Sequence, residues 1–346
     1  MPYRVAYYAH HHGSGHLQHA RDLLATTSHN VLVLSSEEFD DSKYGDRVTS
    51  TVLPSDVVEG YGVMKDKPYH YLPESSIIRE RSQRLLTALH DFKPDVVIVD
   101  VSVEVASFIK LAGYPVIYRF MHGDRTDSAH QNIYSVANRL IAYFPETLQP
   151  ISLSPTLLQK TNFTGMLTPT LTSLDRVTKN KRSITVLTSS GEYGVRATDV
   201  RAAALQTPDW TWTIVGKLKR DDSTPLPLNC HSVGFVADPD YYLAQASIIV
   251  CSGGHNAVAR SIAHKRPLIV APEDRPYMEQ LCFAQELSHA YAIPYVASWQ
   301  EADWASLLEN TSLQNPVFVA AEVLRSPQEY GHTIDKCLEQ VINTGL

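Results

Sequence analysis

The sequence predicts an α/β chain of two tandem domains, each a doubly wound parallel sheet, and three observations carry that reading. Short β-branched apolar runs recur along the 346 residues, separated by helix-length segments, as parallel strands covered on both faces require. Turns containing Gly or Pro stand where those runs begin and end. The series is interrupted once, around residues 145–182, by a Pro- and Thr-rich stretch without clear periodicity. The expected organisation is a first domain over 1–150, a linker over 151–182, a second domain over 183–330 and a C-terminal helix over 331–346, for which the first domain offers a packing surface. With 44% hydrophobic and 19% charged residues, the chain is apolar enough to bury a core in each unit.

In the first domain the strands are read at 4–8, 30–34, 95–99 and 116–119. Lys93-Pro94-Asp95 precedes VVIVD, and Gly113-Tyr114-Pro115 precedes VIYRF, so turn chemistry sits ahead of each. Between the first two runs lies HHHGSGHLQHARDLL, with His10, His11, His12, His16 and His19 around Gly13-Ser14-Gly15. Set between a strand and a helix, these histidines belong to the fold. In the second domain the strands are read at 183–187, 210–215, 231–235, 247–251 and 267–271. No fixed short repeat or low-complexity tract interrupts them.

Composition excludes several classes. A net charge of −7 and the lack of a Lys/Arg stripe argue against nucleic acid as a partner. Cys230, Cys251, Cys282 and Cys337 form no C-x-x-C pair, so neither a zinc ribbon nor a disulfide framework is expected. No apolar run approaches the ~18 to 20 residues of a membrane span. A cytoplasmic protein is expected, with the inner face of the membrane as its one membrane contact.

Open parallel sheets bind ligands beyond the carboxyl ends of their strands, and two such sheets facing each other make a cleft. In HHHGSGH, Gly13 and Gly15 allow close backbone approach to a ligand, and the helix beginning near His16 aims amides and a partial positive charge at it. His16 is the candidate general base, and Asp100, closing VVIVD, is the candidate that orients its ring. Packing, capping or exposure is the simpler reading for His10, His11, His12 and His19. A metal would need three or four converging ligands, whereas adjacent side chains on an extended run diverge. No metal is expected. In the second domain, Ser189-Ser190-Gly191 ends one strand with hydroxyls and free amides suited to phosphate. Ser252-Gly253-Gly254-His255-Asn256 joins a strand to a helix whose start could take a diphosphate. After APEDRPY, Glu279 and Gln280 open a helix, placed to read vicinal hydroxyls or simply to cap it.

The order strand, GGHNAVARSIAHKRP, strand, APEDRP, EQ resembles the C-terminal domain of GT-B glycosyltransferases, particularly those similar to the N-acetylglucosaminyltransferase of peptidoglycan synthesis. HHHGSGHLQHARDL and DVSVEVASFIKLAGYPVI resemble the N-terminal domain of that superfamily. The resemblance implies two Rossmann-like domains and an inverting, metal-independent transfer from a nucleoside-diphosphate sugar, UDP-linked, with no cofactor. It implies base contacts near Phe235 and Val236, diphosphate contacts from Ser190 and Gly253-Gly254, and sugar contacts from Glu279 and Gln280. The acceptor, a cell-envelope glycan, a lipid-linked sugar or a small molecule, is placed near His12, Gly13, Ser14, Gly15, His16, Asp100, Glu104, Arg119, His122 and Arg125. Where the family carries a ribose-holding glutamate this chain has Arg260, which has no acceptor to offer. A nucleotide-sugar 2-epimerase and a catalytically silent binding protein of the same fold are the alternatives. Arg79, Arg81 and Arg84 are read either as contacts to an anionic acceptor or as an exposed helix face.

Overall fold

Near-continuous burial along short β-branched runs is what builds this molecule. The computed structural model describes residues 2–10, 15–64, 67–150, 153–172, 180–188, 194–219 and 225–343. The first domain runs β1 Arg4–Ala9, α1 Gly15–Thr26, β2 Asn30–Ser35, β3 Val48–Val52, α2 Ser76–Phe92, β4 Val96–Asp100, α3 Val103–Leu111, β5 Val116–Arg119, α4 Ser128–Val136, β6 Arg139–Ala142, α5 Pro155–Lys160 and β7 Thr161–Phe163. Its strands are all parallel, in the order β3-β2-β1-β4-β5-β6-β7. β8 Met166–Leu167 follows.

The second domain runs β9 Ser183–Leu187, α6 Ala197–Gln206, β10 Thr211–Val215, β11 Cys230–Gly234, α7 Asp240–Gln245, β12 Ile248–Cys251, α8 His255–Ala263, β13 Leu268–Val270, α9 Glu279–Tyr291, α10 Trp304–Thr311 and α11 Pro316–Val323. Its parallel order is β11-β10-β9-β12-β13. Strand order reverses between β1 and β4 in one sheet and between β9 and β12 in the other. Loops diverge at such a switch point and leave a crevice at the carboxyl ends.

β14 Leu324–Arg325 pairs with β8, and α12 Pro327–Ile342 follows. α12 starts with a capping box, Ser326 with Glu329, and Pro327 in its first turn, a strong start signal. Its Tyr330, Ile334, Cys337, Leu338 and Val341 pack with Tyr7, Leu17 and Val33 on one face of the first sheet. Gly331 lets α12 touch α1, since a Cβ there would meet the Thr26 carbonyl oxygen. The expected boundaries therefore shift. Residues 151–182, read as a linker, contain α5 and the seventh strand of the first sheet, and α12 begins four residues before the expected 331.

A single apolar cluster runs from the first sheet into the second domain, joining Phe120, Phe144 and Leu148 to Phe283, Ala284 and Leu287. The four cysteines are free. Among the described residues, no helix is long and apolar enough to cross a membrane.

Candidate active site at the interdomain cleft

His16 stands in the first turn of α1, beyond the carboxyl end of β1, and Asp100 closes the neighbouring β4. His16 Nδ1 lies 3.1 Å from Asp100 Oδ2, although the approach misses the angle of a well-directed hydrogen bond. Asp100 is fully buried and takes 2.7 Å and 3.1 Å hydrogen bonds from Arg119 Nη1 and the Tyr7 hydroxyl. Burial opposes its ionisation, but the Arg119 guanidinium and then His16 outweigh burial and hold the carboxyl well below the ordinary carboxylate range. A buried anion facing Nδ1 favours the tautomer whose Nε2 lone pair is free to accept a proton.

Arg119, expected near the acceptor, is instead the buried counter-ion of Asp100 and lies over the Tyr143 ring at 5.1 Å. His122 is also corrected. It is buried between Phe144 and Phe283, with ring centroids at 4.0 and 4.6 Å, and donates from Nε2 to the Leu148 carbonyl at 2.7 Å. Burial pushes its pKa down to about 4, so it is a neutral part of the domain interface. Arg125 is buried too, over the Tyr277 ring at 4.9 Å, and Nη2 reaches to 3.7 Å from Glu279 Oε2 across the cleft. Glu104 accepts from the amides of His70 and Tyr71 at 2.7 and 3.0 Å, so it pins a loop. Arg81 is buried against Ser36, the Pro54 carbonyl and the Tyr8 hydroxyl, and Arg84 binds the Val52 carbonyl and Glu80. Neither presents a free cation to an acceptor. His12, Gly13, Ser14, Ser189, Ser190 and Gly191 lie outside the described residues.

On the opposite wall, β12 ends at Cys251 and Ser252-Gly253-Gly254 turns the chain into α8 with no side-chain cap. First-turn amides without a cap are free to bind an anion. Glycine is required at 253, because a Cβ there would stand 2.9 Å from both Cβ and the backbone oxygen of Gln280. Gln280 is buried and accepts from the Glu273 amide at 2.8 Å, so it braces this turn, whereas Glu279 faces the cleft. Asn256 is exposed on α8, and a Cβ added to Gly15 would lie 3.7 Å from its Nδ2. The start of α1, next to His16, thus meets the start of α8, next to the Gly253-Gly254 turn, across the domain boundary.

His255, read as a donor contact, is a strut. Its Nε2 donates to the Tyr143 carbonyl at 2.5 Å, and its ring lies 5.3 Å from that of His19. Burial, then the charges of His19 and Arg119, hold its pKa well below the usual imidazole value. Phe235 is 75% exposed. It lines an open hollow of about 590 Å³ with Gly216, Lys217, Ser232 and Gly234, a shape suited to stacking a flat ring. Val236 follows it, half-buried. Arg260 is committed elsewhere: Nη1 donates to the buried Asp240 at 2.7 Å, and His264 shares the same carboxylate oxygen at 2.9 Å.

Sequence reasoning missed Tyr7 and Tyr143, whose hydroxyls stand 3.3 Å apart beside Asp100, and the group formed by His70, Asp127 and His130. Alternation along β1 puts Tyr7 on the face that meets α1, a signal that was present. The other contacts depend on strand order, which no single segment encodes.

No protein-family model and no curated protein matches the chain. Solved structures do. It superposes on the spinosyn forosaminyltransferase SpnP with a TM-score of 0.67 at 13% identity, covering 98% of this chain and 100% of that one. The spinosyn rhamnosyltransferase SpnG complexed with thymidine diphosphate gives 0.65 at 16%, covering 96% and 100%. MurG of Acinetobacter baumannii gives 0.57 at 13%, covering 99% and 100%. The chain has the two-domain GT-B fold of these glycosyltransferases along its whole length.

Proposed function

We propose that the protein is a glycosyltransferase moving a sugar from a nucleoside diphosphate to an acceptor hydroxyl, with His16 as general base. The observation that supports it most is the His16–Asp100 pair at the start of α1, which the structure brings next to the uncapped start of α8 in the second domain. His16 Nε2 takes the hydroxyl proton, and ionised Asp100 stabilises the imidazolium. The acceptor oxygen attacks the anomeric carbon from the side opposite the diphosphate. The bond from that carbon to the phosphate oxygen breaks with its electron pair on the diphosphate, and the configuration inverts. Backbone amides of α8 meet the charge that develops. Written this way, the step uses no cofactor and no metal, so rates should be insensitive to EDTA.

The hollow beside Phe235 takes the base, Gly253-Gly254 the diphosphate and Glu279 the sugar. UDP follows from the sequence resemblance, and thymidine diphosphate, bound by the SpnG structure, is the second candidate. The acceptor is a glycan, a lipid-linked sugar or a small molecule, met in the cytoplasm or at the inner membrane face. A thermal-shift panel of UDP, thymidine diphosphate, ADP and GDP tests the reading, because a ligand at 100 times its Kd adds about 2.7 kcal/mol to the folded state. A pyrimidine nucleotide should raise the midpoint. A flat panel, together with no turnover of any nucleotide sugar, would leave a silent binding protein.

A further inference from the structure

The described residues hold a second carboxylate–imidazole group that the reaction above does not use. Asp127, at the start of α4, caps the helix by accepting from the Ala129 and His130 amides. Its side chain also meets two rings: His70 Nε2 is 2.8 Å from Oδ1, and His130 Nδ1 is 2.6 Å from Oδ2. By count and proximity the three could hold a divalent ion, their ligand atoms lying within 4.8 Å of one another. Arg125 argues against an ion. A guanidinium has only donors, and Arg125 Nη1 lies 2.8 Å from His130 Nε2. Nε2 must therefore be the acceptor, and the ring proton sits on Nδ1, the atom a metal would need bare.

The rest follows by accounting. His130 Nδ1–H donates to Asp127 Oδ2. Oδ1 then accepts from His70 Nε2–H, which leaves the lone pair of His70 on Nδ1. That atom has no hydrogen-bond partner among the described residues and is not among those sealed from solvent. Although burial works against its charge, Asp127 is kept ionised by the His130 and His70 hydrogen bonds, with its pKa lowered to about 2. His70 sits in the loop between β3 and α2, fixed by Glu104 and packed against Tyr277 of the second domain at 5.5 Å. The same loop exposes Tyr61, Val63 and Leu72, apolar surface beside a polar acceptor atom.

We propose that His70, locked by Asp127 as its Nε2–H tautomer, reads the acceptor: Nδ1 takes a hydrogen bond from a hydroxyl of a partly apolar molecule and so orients it in the cleft. This rests on the glycosyltransferase reading. The test combines ring ¹⁵N NMR on the full chain with kinetics using esculetin, an aromatic diol, as acceptor probe. At pH 7.5 His70 should carry its proton on Nε2, and esculetin should shift the Nδ1 resonance. Asp127→Asn, which keeps a helix cap, should mix the tautomers. His70→Gln retains a donor toward Asp127 and replaces ring Nδ1 with an amide oxygen displaced from its position. It should raise KM for esculetin tenfold or more while kcat changes less than threefold, whereas His16→Ala should act on kcat. A proton on Nδ1 overturns the proposal, as does stoichiometric Zn²⁺ binding that is lost in His130→Ala. Transfer to esculetin with an unaltered KM in His70→Gln defeats the His70 assignment alone. A wild type that neither binds nucleotide nor turns over any sugar donor defeats the glycosyltransferase reading and this proposal together.

Discussion

His16 and Asp100 divide their work, and their variants should fail differently. His16 is a partly exposed side chain with one ion-pair contact, so His16→Ala should lower kcat by about 10²–10⁴ with little change in the melting midpoint. Parallel kinetics and calorimetry would check both. Asp100→Asn also strands the buried Arg119 guanidinium. Removing one partner of a buried pair costs about 3–5 kcal/mol, so this variant should lose stability as well as turnover in urea titrations. Double substitution of Asp100 and Arg119 by apolar residues should recover part of that stability and none of the activity. The His16–Asp100 pair was legible because each residue closes or follows a strand run, and ligand sites of parallel sheets lie there. Arg119, His122 and His255 were not. Their positions along the chain fit a site, but inward or outward orientation was decided by neighbouring strands: Arg119 sits beside Asp100 only because β5 pairs with β4 in the register Val99 to Tyr118.

At the scale of single elements, the turn into α8 carries the donor reading. Gly253→Ala would push α9 away through Gln280, and the expected result is loss of nucleotide-induced thermal stabilisation, measured against UDP and thymidine diphosphate. α12 carries stability rather than chemistry. Leu338 is fully buried on the first sheet, so Leu338→Ala should cost about 2–5 kcal/mol in chemical denaturation while leaving KM for the donor unchanged. Most strands read from sequence are largely buried, such as β4 with five buried residues of five, whereas β11, read at 231–235, buries only Cys230. β3, with only Val48 buried, gave no apolar run to read, and β7 is three residues long. Edge strands such as these are held by their neighbours more than by their own composition.

Across the whole molecule, buried neutral imidazoles at the domain interface make closure sensitive to acid. His122, with its pKa lowered to about 4, binds a proton in the unfolded chain below about 6.5 but not in the folded one until about 4. Stability therefore falls as pH drops through that window, by up to about 1.4 kcal/mol per pH unit for one proton. His255 adds to the trend in the same direction. Urea midpoints measured from pH 7 to pH 4.5 should decline, and His122→Gln should decline less steeply. Two parallel sheets and their shared cleft were readable from the rhythm of the sequence. The interface was not, because residues as far apart as His122 and Phe283 meet only after both sheets exist. α12 has one more consequence, for biosynthesis. It is translated after the entire second domain yet completes the first, so on the ribosome the amino-terminal lobe waits with a bare flank until that helix emerges. Chaperone engagement during synthesis should concentrate on this interval.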